Sequence, residues 1–142
     1  MNEITVHSKK HSAMIPITGA VKNRIPAHFT GLCHLFSLHT TAGLTVNENA
    51  DPDVQSDILA ALEKAVPWNA PEYRHAEGNS AAHVKASMMG FDLTLPVRDG
   101  ELELGCWQGI YFCEFDGPRE RHVRMMLIPS GDEPLIRRRD EE

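Results

Sequence analysis

What this sequence has little of narrows it first. It carries three cysteines, Cys33, Cys106 and Cys113, an odd number with no CxxC spacing. Neither a disulfide framework nor a cysteine-rich zinc site is expected, and all three read as reduced, buried thiols in strand-like surroundings. No apolar run approaches the roughly 20 residues that would span a bilayer. The start, MNEITVHSKKHS, lacks the apolar segment of a secretory leader, so the expected location is the cytoplasm, with no membrane partner. Basic charge is short as well. A net charge of −6 argues against a nucleic-acid partner, because domains that bind phosphate backbones show an excess basic face. The late cluster Arg137-Arg138-Arg139 is answered at once by Asp140, Glu141 and Glu142 and reads as solvated tail. Repeats, low-complexity tracts and linkers are missing too. Residues 1–142 are therefore expected to form one domain, with 132–142 as a polar tail.

What is present suits an ordinary globular chain, with 42% hydrophobic and 24% charged residues. A domain of this length buries roughly two-thirds of the surface its unfolded chain would expose, so it needs no staples. Ile4–Ser8 and Met14–Ile17 predict two early strands, with Pro16 pointing to a sheet edge. A short helix is expected over residues 19–25. Gly31–Leu38 predicts a buried strand ending at His39, and Leu44–Asn47 continues extended. Asp51-Pro52 supplies an N-cap followed by Pro at the first helical position. Val54, Ile58, Leu62 and Val66, with Leu59 and Ala65, then form one apolar helical stripe that Pro67 ends.

Residues 67–80 read as a long surface loop, and loops of that length in a small domain are often functional. A second short helix is expected over 81–89, closed by Gly90. Phe91–Val97 and Glu101–Leu104 predict a hairpin around Arg98-Asp99-Gly100. Gly109–Phe115 and His122–Ile128 predict a second antiparallel pair, turning at Asp116-Gly117-Pro118. The fold class expected is α+β, with packed, mainly antiparallel sheets, a capped central helix and a second short helix.

Three segments carry side chains suited to chemistry. The first runs from His39 to Asp51. His39 ends a rigid strand and can act as a general base, a metal ligand or a satisfied core histidine. Thr40, Asn47 and Glu48 can hold a ligand's polar groups, while Asp51 is either a contact or only the helix cap. The second runs from Tyr73 to Ser87. With His39, His75 and His83 can supply three nitrogen ligands and leave a fourth position open, the pattern of a catalytic zinc. No HExxH or other sharp metal signature accompanies them. Glu77 is a candidate acid or base, Asn79 a polar contact, and Lys85 and Ser87 candidate grips for a phosphate at a helix N-terminus. The third is Gly105-Cys106-Trp107-Gln108-Gly109, in which Trp107 either stacks on a ligand ring or belongs to the core. Glu114 falls on the apolar face with Ile110 and Phe112, so it needs a partner such as Arg119, Arg121 or a His.

HTTAGLTVNENADPDVQSD, YRHAEGNSAAHVKASMMG and GCWQGI, with the strand carrying Glu114, resemble the YjbQ family in order and spacing over residues 4–130. Its members are often labelled secondary thiamine-phosphate synthases. Two departures stand out: Cys106 where Thr is usual before the Trp, and Ser80 and Ala82 where some members have Asp and Pro. The resemblance implies an α+β fold and a symmetric assembly, most simply a homotrimer, with the motif residues gathered into one pocket. It implies His39, Glu48, His75, Glu77 and His83 as catalytic residues. Asn47, Asp51, Lys85, Ser87, Trp107, Gln108 and Glu114 are implied around the substrate.

The labelled reaction joins a pyrimidine diphosphate to a thiazole phosphate with loss of pyrophosphate. Such chemistry uses Mg²⁺ on carboxylates and phosphates. Three histidines fit zinc or an anion better. The leading expectation is an enzyme acting on a small phosphorylated or heteroaromatic compound. A non-catalytic binding protein for a phosphorylated metabolite and a structural oligomer module are the alternatives.

Overall fold

In a computed structural model that describes residues 2–131, the chain builds two antiparallel sheets and three helices. The tail expected over 132–142, with its arginine cluster, lies outside the described residues. The strands are β1 (Asn2–His7), β2 (Ala13–Pro16), β3 (Gly31–Ser37), β4 (Ala42–Glu48), β5 (Asp92–Arg98), β6 (Glu101–Leu102), β7 (Gln108–Glu114) and β8 (Glu120–Pro129). The helices are α1 (Thr18–Lys22), α2 (Pro52–Ala65) and α3 (Ser80–Met89). No helix among the described residues is long and apolar enough to cross a membrane.

The five-stranded sheet runs β1-β8-β3-β5-β6 and the three-stranded sheet β2-β7-β4. Alternation explains the larger one. Ile4 and Val6, Cys33 and Leu35, Leu95 and Val97, and Val123 and Met125 point inward, while the residues between them face out. β7 behaves differently, being buried from Gly109 to Glu114. Ile110 and Phe112 pack toward the large sheet, and Tyr111 and Cys113 pack toward the helices. A strand covered on both faces sits in the middle layer and needs partners on both edges, which β2 and β4 supply.

That layering corrects one sequence expectation. Gly109–Phe115 and His122–Ile128 do not pair with each other. β7 lies between β2 and β4, whereas β8 lies between β1 and β3 in the other sheet. The β5–β6 hairpin does form, pairing Val97 with Leu102 and Arg98 with Glu101. Pro16 lies in an edge strand, as its missing N–H suggests. Asp51 caps α2 by accepting the Asp53 N–H at 2.9 Å, with Pro52 next. The α2 stripe is only half-buried, and its Ala65 is exposed. Cys33 and Cys113 are buried, which pushes their thiols up to about 11 and about 12, but Cys106 is exposed in the turn before β7.

Candidate functional site

Residues 38–41 carry the chain from the large sheet to the small one. Their entry is held on both sides of one residue: the Leu38 N–H donates to the His122 carbonyl at 3.2 Å, and the His122 N–H donates to His39 Nε2 at 2.7 Å. His39 therefore carries its proton on Nδ1. Burial, then the nearby positive charge of Arg121 and His122, holds its pKa below the ordinary 6.5.

This crossover is one wall of a cleft of about 450 Å³. The long loop and the start of α3 bring His75, Glu77, Asn79 and His83 to it, the turn after β7 brings Asp116 and Arg119, and the start of β8 brings Arg121. The His75 and His83 rings meet edge to face with centroids 5.5 Å apart. His75 Nε2 lies 3.9 Å from a Glu77 carboxylate oxygen. Arg119 grips Asp116 twice, through its backbone carbonyl at 2.7 Å and its carboxylate at 3.0 Å. Asn79 Nδ2 donates to the same carboxylate at 2.9 Å. Its Oδ1, in a residue only 6% exposed, has no hydrogen-bond partner among the described residues.

The floor is a buried ion pair. Arg121 donates to Glu114 through Nε at 2.9 Å and to Thr41 Oγ1 through Nη2 at 2.9 Å, and Nη2 also meets the other Glu114 oxygen. Ser8 Oγ and the Asp116 N–H donate to Glu114 as well. Full burial opposes ionisation of Glu114, yet these hydrogen bonds outweigh it and hold the carboxyl below its usual range. Arg121 is the partner that an acid on this apolar face needed.

Other sequence-predicted residues lie elsewhere. Asn47 pairs with Gly109 and Glu48 with Gln108, at the far end of β4 from Ala42. That is about 17 Å from the crossover at the ordinary strand rise. There Asn47 Oδ1 accepts the Glu48 N–H, Gln108 Oε1 accepts the Gly105 N–H, and Trp107 is 63% exposed. Asp51 caps its helix at that same end. Within one chain these residues do not join the cleft. Lys85 is 3% exposed and its ammonium contacts Glu63 on α2, while Ser87 Oγ turns back to the His83 carbonyl. Among the described residues, no group of three His, Cys, Asp or Glu is arranged to hold a metal ion. His39, His75 and His83 share a cleft, but His39 Nε2 is already engaged.

Sequence reasoning offered Arg119 and Arg121 only as partners for Glu114 and passed over Asp116 as a site residue. The signal available was the turn Asp116-Gly117-Pro118-Arg119 directly after a buried acid.

Known proteins match this chain over most of its length. The family described as UPF0047 protein YjbQ-like matches residues 2–130. The UPF0047 protein YugU of Bacillus subtilis is 44% identical over 130 residues, covering 89% of this chain and 98% of its own. The UPF0047 protein MJ1081 of Methanocaldococcus jannaschii is 41% identical over 127 residues, covering 87% and 90%. Among solved structures, a YjbQ/UPF0047 family protein from Clostridium acetobutylicum superposes with a TM-score of 0.85 at 45% identity, covering 90% of this chain and all of that one. A conserved hypothetical protein from Thermus thermophilus gives 0.86 at 41%, with the same coverage.

Proposed function

The chain belongs to the UPF0047 YjbQ-like family, and from that premise we propose that it is an enzyme acting on a small phosphorylated compound in the histidine-lined cleft. One observation carries this reading: three segments remote in sequence meet in a cleft of the size that small ligands occupy. Arg119 is the cation for an anionic group, because its side chain is about half exposed in the cleft while Lys85 is tied to Glu63. His75 and His83 are the proton-transfer groups. Neutral His39 donates through Nδ1–H, and Asn79 Oδ1 accepts from a ligand N–H or O–H.

A three-nitrogen zinc site does not fit this arrangement, since His39 Nε2 accepts the His122 N–H, so no step is routed through a metal. The reaction to try first is the one the resemblance implies, thiamine-phosphate formation as a secondary activity. His83→Ala and His75→Ala should each abolish it while zinc content stays far below one equivalent in every variant. Undiminished turnover in both variants, or stoichiometric zinc lost with His83, would overturn the reading.

A second reading, binding without turnover, draws only on the groups that can hold a ligand in place, the half-exposed Arg119 and Asn79 Oδ1, which lacks a partner among the described residues. It predicts thermal stabilisation by phosphorylated ligands and no product. We also propose a homotrimer, supported by Leu32, Met126 and Ile128 standing exposed together on the outer face of the large sheet. Light scattering of the wild type and Met126→Lys tests it: loss of assembly in the variant supports that face, and a monomeric wild type refutes it.

A further inference from the structure

A second cleft, of about 380 Å³, lies beside the polar one and is walled by Phe36, Leu38 and Phe91. The two have Leu38, His39 and Thr40 in common, so a single stretch of chain separates them. That stretch is fixed by the paired hydrogen bonds to His122, and the apolar walls are tied together by the Ser37 N–H donating to the Phe91 carbonyl at 2.7 Å. Their character differs. One offers histidines, Asn79 and Arg119, the other mainly two phenyl rings and a leucine. Phe36 and Leu38 are 44% and 42% exposed and wall the same cleft, and grouped exposed apolar side chains mark interaction sites where scattered single ones do not.

We infer that the second cleft is the subsite for a planar, apolar ring carried by the same small molecule whose anionic end sits in the polar cleft. The inference rests on the anion-binding role proposed for that cleft. Phenyl faces select a flat ring through stacking and edge-to-face contact. The volume suits a ring of one or two cycles. Because the wall in common is only three residues long, a phosphate attached directly to the ring, or through a short link, reaches both sides. The ligand class is therefore an aryl or heteroaryl phosphate rather than a sugar phosphate. It also moves the ring contact away from Trp107, which stands at the opposite end of β4.

Titration calorimetry with inorganic phosphate and with 1-naphthyl phosphate tests this on the full chain. The wild type should bind 1-naphthyl phosphate at least about tenfold more tightly, as burial of one ring's apolar area implies. Phe36→Ser, at an exposed position, should remove most of that preference and leave inorganic phosphate unchanged. Phe91→Leu, which keeps a core side chain, should reduce it in part. Arg119→Ala should weaken both ligands alike. Equal affinity of the wild type for both ligands would overturn the ring subsite and leave the polar-cleft reading standing. A preference untouched in both Phe variants would overturn its placement. Failure of the wild type to bind either ligand would overturn the anion-binding reading itself, and the subsite with it.

Discussion

His122 holds His39 through its backbone: its N–H donates to His39 Nε2 at 2.7 Å, while its carbonyl accepts the N–H of Leu38, the residue before. The contact sets the tautomer of His39, while burial and the nearby positive charge favour its neutral form. A protonated ring would carry a hydrogen on Nε2 and meet a donor where it now has one to accept.

Stability should therefore depend on pH through His39. Its folded pKa is lowered, chiefly by burial, while the unfolded chain takes up the proton near 6.5. Below that value the unfolded state binds more protons, so stability is present in full above it and is lost as pH falls toward the folded pKa. His39→Gln keeps an acceptor for the His122 N–H and does not titrate. The wild type's lead in melting temperature over this variant should shrink as pH drops from about 7.5 to about 5. A constant lead across that range in circular-dichroism melts would contradict the assignment.

Glu114 and Arg121 should behave as a buried pair. Neither has solvent to fall back on, so Glu114→Gln leaves an uncompensated guanidinium and is expected to cost about 3–5 kcal/mol. The apolar double replacement, Glu114→Leu with Arg121→Met, removes both charges and should cost less than Glu114→Gln. Urea unfolding of the single and double variants measures the difference.

Lys85 and Arg119 should separate structure from binding. Lys85→Met removes a cation whose partner is Glu63, and should leave phosphate affinity within about twofold, because methionine replaces the buried apolar stem of the lysine at similar volume. Arg119→Ala should lower that affinity by about tenfold or more, the loss expected for a charge-assisted contact. Calorimetry on both variants reads the contrast directly.

The difference between these two cations shows where the sequence was legible. Helix starts, the hairpin and the inward faces were written in local signals such as Asp51-Pro52 and Asp99-Gly100. Alternation tells which residues face inward but not which strand lies alongside, so β7 and β8 looked like a pair. The unbroken apolar run Ile110–Cys113 was the hint that β7 is covered on both faces. His39, His75, Glu77, Asn79 and His83 were identified in sequence and meet in one cleft. Lys85 was grouped with them by proximity, yet two residues beyond His83 is about 200° around a helix, on the opposite face. Arg119 and Asp116 were hidden because a polar turn carries no periodicity.

The position of that cleft depends on how closely β4 can approach α3. A Cβ on Gly43 would stand 2.6 Å from the Gly90 carbonyl oxygen and 3.1 Å from that of Ala86, both backbone atoms that cannot swing aside. The Leu44 N–H donates to the same Gly90 carbonyl at 3.0 Å, so the end of α3 is fastened to β4 at its closest point. Gly43→Ala must push α3 outward, and overpacking of this kind costs about 1–3 kcal/mol. Since α3 carries His83 and its first turn holds the cleft wall, phosphate affinity should fall along with stability. Gly19→Ala is the control: it lies in α1 with nothing within 4 Å of the added carbon, and should stabilise the chain by up to about 1 kcal/mol. If Gly43→Ala melts with the wild type and binds phosphate as well, α3 is not braced on β4 in the way these distances require.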